Sequence, residues 1–269
     1  MDVPRIGKRT LVVVESSSTQ ATHSSFLASL QGRGHTVTFA DVSDANIELV
    51  KYGEYLFDNI VLLTPTTEDF ASLAVKDLLD FVKGGGNVLV GAGENLPDSS
   101  TVRDFAAEVG VDFDMEGSVV LDHLAYDASA NGDHSTVISS GYIASPFVVG
   151  DSASRGSVLF RGIGQAVDPA NIYAVKVLVG SPTSYSADPT KPVDSYPESA
   201  GEQVQLVTSI QARNNARVTF VGSAWMMSND AFGASINGEA QANNEVRGCC
   251  GYFVTQVSQW TFQEQGVIR

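Results

Sequence analysis

One short stretch of the chain brings carboxylates, imidazoles and a phenol together. Asp122 and His123 are followed by Tyr126 and Asp127, and His134 comes shortly after them. These groups could form an acid–base pair, or they could supply oxygen and nitrogen ligands to a metal ion. The spacing matches no compact metal motif, and Asp in such segments commonly makes local turn hydrogen bonds instead. On this balance we predict neither a bound metal nor a cofactor.

Two glycine-rich segments could in principle bind phosphate or carry a nucleophile. The first, at 84–86, follows a predicted helix and precedes a strand, so we interpret it as a helix stop. The second, at 91–93, follows a strand, but Leu96 stands at the third-glycine position and Glu94 would repel phosphate. In a glutamine-amidotransferase-type fold this loop would carry the nucleophilic cysteine, and Gly93 stands there instead. We therefore predict no catalytic residue.

Composition limits the classes of partner. The chain has 269 residues, of which 43% are hydrophobic, and a formal net charge of −15. Because so acidic a surface repels a phosphate backbone, we exclude nucleic acid as a partner. No apolar run approaches the roughly 20 residues that span a bilayer, so we expect this segment not to cross a membrane.

The two cysteines, Cys249 and Cys250, are neighbours in the sequence. Adjacent Cα atoms lie about 3.8 Å apart, which is too close for an unstrained disulfide. Cys250 also begins an apolar series with Phe253, Val254 and Val257 at helical spacing. We therefore predict buried free thiols on a helix.

Alternating strands and helices must position these groups. Apolar runs predict strands at 10–14, 35–40, 59–64, 87–91 and 217–222. Apolar stripes predict helices that cover 23–30, 75–82 and 102–109, with a short helical piece at 44–51 and a final helix at 245–263. This order predicts an α/β fold with a doubly wound, mostly parallel sheet of the flavodoxin-like kind.

The middle of the chain has a different texture. From about 115 to 201, short β-type runs are broken by Gly, Asp and Ser, which predicts a β-rich insertion with runs at 118–121, 135–138, 147–149 and 157–160. The proline-containing segment 181–201 predicts a long loop, and such loops often carry function. In an open α/β sheet, ligands bind beyond the carboxyl ends of the strands. The sequence places those ends at 15–18, 41, 64–68, 91–95 and 223–225.

Several motifs, in one order along nearly the whole chain, resemble a known family. They are THS at 22–24, KYGEYLFDN at 51–59, GGGNVLV at 84–90, Asp122-His123 with Tyr126-Asp127, LFRGIG at 159–164, TSYS at 183–186, QARNNAR at 211–217 and GVIR at 266–269. Together they are similar to the lumenal amino-terminal domain of the non-catalytic 48 kDa-type subunit of the oligosaccharyltransferase complex.

The resemblance implies a role in protein N-glycosylation in the endoplasmic reticulum, where another subunit performs the transfer. It implies other subunits of that complex, including the catalytic one, as partners, and a dolichol-linked oligosaccharide as a further candidate ligand. It also implies that 1–269 is a single lumenal domain of glutamine-amidotransferase-like fold. A cleaved signal would precede it, and a second lumenal β domain and a membrane helix would follow Arg269. The adjacent cysteines are not a feature of this family that we recognise.

The motif residues have two interpretations that the sequence leaves open. They could contact a partner or a glycan, since arginine is favoured at interfaces, or they could hold the domain together. The candidate binding or interface residues are Asp122, His123, Tyr126, Asp127, Arg161, Tyr185, Arg213, Asn214, Asn215 and Arg217. The competing hypothesis from another class is a free-standing enzyme or carbohydrate-binding protein that uses Asp122, His123 and His134. A third possibility combines the two, with the crevice binding the chitobiose end of the dolichol-linked donor without chemistry.

Overall fold

Buried parallel strands form the middle of the computed structural model, which describes residues 5–129, 134–192, 196–197, 199–236 and 249–266. The strands are β1 (Arg9–Val14), β2 (Thr36–Asp41), β3 (Val50–Lys51), β4 (Glu54–Tyr55), β5 (Asn59–Leu63), β6 (Asn87–Gly91), β7 (Val111–Phe113), β8 (Val119–Leu121), β9 (Val137–Ser139), β10 (Gly141–Tyr142), β11 (Val158–Phe160), β12 (Gln165–Val167), β13 (Ala174–Val179), β14 (Tyr185–Ala187), β15 (Gln205–Gln211) and β16 (Arg217–Val221).

The helices alternate with these strands in the first half of the chain and close it at the end. They are α1 (Ser17–Thr22), α2 (Ser24–Gly32), α3 (Val75–Lys83), α4 (Thr101–Glu108), α5 (Pro146–Val149), α6 (Ser152–Arg155), α7 (Asn229–Gly233) and α8 (Cys249–Thr261), with 3-10 turns at Gly201–Gln203 and Ala224–Met227. Among the described residues, no helix is both long and apolar enough to cross a bilayer.

The central sheet is parallel at its core and antiparallel at one side. The strand order is β10-β13-β15-β16-β6-β5-β1-β2. The strands from β16 to β2 run parallel, whereas β15, β13 and β10 are added antiparallel. Strands β5 and β6 are buried along their whole length because helices cover both faces, which explains their unbroken apolar sequences. The fold is thus mixed α/β, as the alternating pattern predicted.

Alternate side chains of each parallel strand enter two separate cores. On β1, Val12 and Val14 pack on one face with residues of α2 and α8, such as Phe26. Leu11 and Val13 pack on the other face with residues of α3 and α4. Successive side chains of a strand point to opposite faces, so each parallel strand contributes to both cores. Burying each large apolar side chain in these cores contributes about 1.5–3 kcal/mol.

The β-rich insertion is present and joins the central sheet through β12, β13 and β10. Two small antiparallel pairs, β8 with β14 and β9 with β11, extend beyond that sheet. The predicted strand at 147–149 is wrong, because Pro146 occupies the first turn of helix α5. The predicted helix at 44–51 is also wrong. Asp41 and Asp44 instead accept hydrogen bonds from backbone N–H groups two residues on, which form turns that lead into β3.

The prediction for Cys250 is confirmed. Its thiol is buried on α8 and donates a hydrogen bond to the carbonyl of Leu159 at 3.2 Å. The side chain of Cys249 and the predicted start of this helix at 245–248 lie outside the described residues.

Candidate functional site

A crevice opens where the parallel strands end at their carboxyl sides. Two adjoining cavities form it, with volumes of about 220 and 350 Å³. The loops after β5, β6 and β16 line the first cavity, and the insertion contributes most of the second. Both cavities are lined by Glu94, Asn95 and Arg161. The other lining residues are Pro65, Thr66, Ala92, Gly93, Gly162, Ala224 and Trp225 in the first cavity, and Gly117, Val119, Ser135, Asp188, Pro189 and Thr190 in the second.

Two glycines bring the loop that carries Arg161 against the end of β16. The N–H of Ile163 donates to the carbonyl of Gly222 at 2.9 Å. A Cβ on Gly162 would lie 2.1 Å from the Gly222 carbonyl oxygen, and a Cβ on Gly222 would lie 2.2 Å from that of Ile163. Only two residues without side chains permit this approach. The glycines therefore place Arg161 at the crevice.

Four side chains at the crevice have uncommitted hydrogen-bonding groups. Arg161 is exposed, and only its backbone carbonyl is engaged, by the hydroxyl of Ser223. Within the described part of the chain, the guanidinium of Arg161, the carboxylate of Glu94, the amide of Asn95 and the indole N–H of Trp225 make no hydrogen bond or ion pair. These groups are therefore available to a ligand.

Gly93, in the loop after β6, lines the first cavity. Its φ is not in the left-handed region, and a Cβ built on it would lie 2.9 Å from the Cβ of Pro65. A cysteine at this position would force Pro65 to move. The loop therefore has no thiol, and it would accept one at position 93 only with a shift of Pro65.

Asp122 is engaged by the protein itself. Its side chain is fully buried and accepts the backbone N–H groups of Leu124 and Ala125, both at 2.8 Å. The hydroxyls of Ser181 and Thr183 donate to the same carboxylate. Burial opposes ionisation, but the hydrogen bonds from Ala125, Ser181, Leu124 and Thr183 outweigh it and hold the pKa of Asp122 below its ordinary value. The carboxylate thus ties the turn after β8 to the loop before β14.

Next to Asp122, four rings form what we call the aromatic stack, which consists of Tyr126, His134, His123 and Tyr185. Ring centroids lie 4.1 Å apart for Tyr126 and His134, and 4.5 Å apart for His134 and His123. His123 Nε2 shares a 2.8 Å hydrogen bond with the Tyr185 hydroxyl. Asp127, beside the stack, is buried and accepts the N–H and the hydroxyl of Ser129. The stack can contact a ligand through its exposed member, His123.

The QARNNAR residues lie at the opposite end of the parallel strands from the crevice, where β16 begins. Asn214 donates to the carbonyls of Val82 and Lys83 at 2.9 Å, and so caps the end of α3. Asn215 has a φ of 64°, which Asn tolerates better than most residues. Arg213 is exposed and hydrogen-bonds to the hydroxyl of Tyr173.

Arg217 is a buried cation that holds the end of the last helix. It is 1% exposed, its guanidinium lies 4.3 Å above the Trp260 ring, and it donates to the carbonyls of Trp260, Gln265 and Gly266. Burial lowers its pKa to about 10, so it remains charged at neutral pH. Its contacts are structural, whereas those of Arg161 leave the charge free for a ligand.

The structure therefore sorts the predicted residues into three places. Asp122, His123, Tyr126, Asp127 and Tyr185 lie together around the turn after β8. Arg161 lies in the crevice. Residues 213–217 lie at the opposite, amino-terminal end of the parallel strands. Asp188 and Thr190 of the crevice were not among the predicted site residues, although the proline-containing loop that bears them was predicted to be functional.

The fold and the site define the class of protein as a mixed α/β domain with a crevice at the carboxyl ends of its parallel strands. A family model described as the N-terminal domain of OST48 matches residues 2–264, and the chain belongs to that family. Three relatives are named as the 48 kDa subunit of dolichyl-diphosphooligosaccharide–protein glycosyltransferase. They are 36% identical over 265 residues in Danio rerio, 37% over 268 in Caenorhabditis elegans and 34% over 265 in Arabidopsis thaliana.

The matches cover 97–98% of this chain, and the chain spans about 60% of the length of these relatives. Among solved structures, a chain described as the mmIFT52 N-terminal domain superposes with a TM-score of 0.66 at 13% identity, covering 97% of this chain and 99% of that one. At that identity the likeness concerns the fold alone.

Proposed function

We propose that this chain is the amino-terminal domain of a non-catalytic subunit of the oligosaccharyltransferase complex, which glycosylates proteins in the endoplasmic reticulum. The observation that carries the proposal is the family match over residues 2–264, with relatives that bear this subunit's name. The domain would lie in the lumen, within a parent protein anchored by a carboxyl-terminal membrane helix. Its partners would be other subunits, including the catalytic one, and it would support their assembly.

Two observations support a non-catalytic role within a glutamine-amidotransferase-like fold. In such a fold the loop after β6 would carry the cysteine, whereas here it carries Gly93, and a Cβ at that position would lie 2.9 Å from the Cβ of Pro65. The second observation concerns Asp122, the acid that the competing enzyme hypothesis would use. Its carboxylate is fully buried and accepts hydrogen bonds from four groups of the protein. A general acid or base must instead reach a proton on the substrate.

A complementation experiment tests the proposal. Cells depleted of the full-length parent protein would receive the wild-type gene, the His123→Ala variant or no gene, and the occupancy of glycosylation sites on a secreted reporter would be measured. We expect wild type and His123→Ala to restore occupancy equally, because His123 performs no chemistry in this proposal. Unchanged occupancy on depletion would contradict the assigned role, and loss of rescue by His123→Ala in a stably folded subunit would favour the enzyme hypothesis.

A further inference from the structure

Strand β2 forms one edge of the central sheet and pairs only with β1 among the described strands. The N–H of Thr36 donates to the carbonyl of Lys8 at 2.8 Å. At the other end of β2, the N–H of Val42 donates to the carbonyl of Val14 at 3.0 Å. Every second residue of a paired strand directs its N–H and C=O to the same neighbour, so the even-numbered residues face β1. The odd-numbered residues face away from the sheet, and they are Val37, Phe39 and Asp41.

The outward backbone groups of β2 are almost all unpaired within the described part of the chain. Only the carbonyl of Asp41 is engaged, by the N–H of Asp44 at 2.9 Å. The N–H and C=O groups of Val37 and Phe39, and the N–H of Asp41, make no hydrogen bond to any described residue. Such a row of donors and acceptors can pair with another strand, since main-chain hydrogen bonds provide the affinity when a strand is added to a sheet edge.

The two ends of the strand order differ in how well they resist such pairing. Strand β10, at the other end, has only two residues, and the neighbouring β13 has two register shifts in its pairing with β15. Strand β2 instead pairs with β1 over six residues in continuous register. It contains no proline and no lysine, which proteins commonly use to block an edge, and its Phe39 is 37% exposed. The β2 edge is therefore long, regular and open.

Charges beside the edge indicate which kind of segment it binds. Asp41 and Asp44 lie at the carboxyl end of β2 and make no ion pair with any described residue. Hydrogen bonds from Ser43 hold the pKa of Asp41 below its ordinary value, so this carboxylate is ionised at neutral pH. The exposed cation Lys8 lies at the amino end. Because the chain has a net charge of −15, a second copy would be repelled, whereas a segment with lysine or arginine would be attracted.

From this arrangement we propose that β2 binds an extended basic segment of a partner protein, which continues the sheet by one strand. The main chain of that segment hydrogen-bonds to Val37 and Phe39, and one of its apolar side chains packs on the Phe39 ring. A lysine or arginine of the segment lies beside Asp41 and Asp44. The contact is separate from the crevice, which the loops after β5, β6 and β16 line. It rests on the proposed function, because the partner is a protein of the complex that the parent forms.

Amide hydrogen exchange, resolved to single residues by mass spectrometry, tests the proposal. In the purified chain, the N–H groups of Val37, Phe39 and Asp41 should exchange about a hundredfold faster than those of Thr38 and Ala40, which face β1. The full-length parent would then be purified from membranes together with its partners in a mild detergent. There we expect the three outward N–H groups to slow by about tenfold or more, because each donates to the added strand. Unchanged exchange in that complex would overturn the proposal.

A photo-cross-linking amino acid at the exposed position 38 of the full-length parent identifies the occupant. We expect cross-links to one extended segment that contains lysine or arginine. Phe39→Pro should reduce their yield about tenfold, because proline removes an outward N–H and is tolerated at an edge. The matched variant Phe39→Ala keeps that N–H and should reduce the yield less. Circular dichroism would establish that each variant is folded, and equal yields for wild type and a folded Phe39→Pro would contradict pairing through the backbone.

A second copy of the chain is the other occupant that these measurements can detect. Cross-links from position 38 to another copy, or exchange at Val37 and Phe39 that slows as the purified chain is concentrated, would assign the edge to self-association. Either result would overturn the proposal of a basic partner segment. A cross-linked segment without lysine or arginine would overturn it as well.

Failure of this proposal can be told apart from failure of the proposed function. Fast exchange at the β2 edge, in a parent that carries the catalytic subunit and transfer activity, would overturn the edge contact and leave the function in place. Purification of the wild-type parent alone and inactive would overturn both, because the edge would then have no partner.

Discussion

Replacing Asp122 should destabilise the fold by an amount that its hydrogen bonds predict. Asp122→Ala leaves the N–H groups of Leu124 and Ala125 without an acceptor, at about 1–3 kcal/mol each. The hydroxyls of Ser181 and Thr183 can turn to solvent because both residues are partly or fully exposed. We expect a loss of about 2–5 kcal/mol in the free energy of unfolding for Asp122→Ala, and about 1–2 kcal/mol for Asp122→Asn, which keeps one acceptor oxygen but loses the charge.

Urea unfolding at pH 7 and at lower pH measures both effects. Because the folded-state pKa of Asp122 is lowered, its contribution is fully present above its ordinary value of about 4 and is lost as the pH falls through the folded-state value. The difference between wild type and Asp122→Asn should therefore shrink below about pH 4.

Asp44→Asn is the matched control for Asp122, since Asp44 is exposed and accepts a single local backbone hydrogen bond from Asn46. It should change stability by less than about 0.5 kcal/mol. Equal stability of wild type and Asp122→Ala would refute the structural role that we assign to this carboxylate.

Three further substitutions follow from local geometry, each measured by urea unfolding. Gly93→Cys should cost about 1–3 kcal/mol because its Cβ would lie 2.9 Å from that of Pro65, and unchanged stability would show that the loop accommodates a nucleophile. Arg217→Met should cost about 2–4 kcal/mol by leaving three carbonyls unpaired, and unchanged or higher stability would show that relief from burying the charge outweighs that loss. Tyr52→Asn should stabilise the fold by about 0.5–1 kcal/mol, because Tyr52 is 96% exposed at a φ of 52° that Asn adopts more readily, and a loss of stability would argue against strain there.

Local signals predicted much of the parallel half of the fold. The run at 87–91 forms β6 with the predicted bounds, and Ser100 caps α4 by accepting the N–H of Arg103 at 3.3 Å. Both outcomes depend on local features that can be read from the sequence, namely a run of apolar residues and a serine next to a helix start. The short apolar run 147–149 was misassigned because a few apolar residues fit a helical turn as well as a strand.

The roles of the candidate site residues could not be predicted in the same way. Asp122 is held by residues about sixty positions away, and Arg217 by carbonyls more than forty positions away. Sequence cannot show which polar groups such long-range contacts engage and which they leave free. The strand-end rule did predict the location of the crevice, but the uncommitted state of Arg161 became visible only in the structure.

The central claim is that this chain is part of a subunit of the oligosaccharyltransferase complex, and co-purification tests it most directly. The full-length parent protein would be tagged in its own cells, extracted from membranes with a mild detergent and purified. We predict that the catalytic subunit and glycan-transfer activity will elute with it. Elution of the tagged protein alone, without transfer activity, would contradict the account.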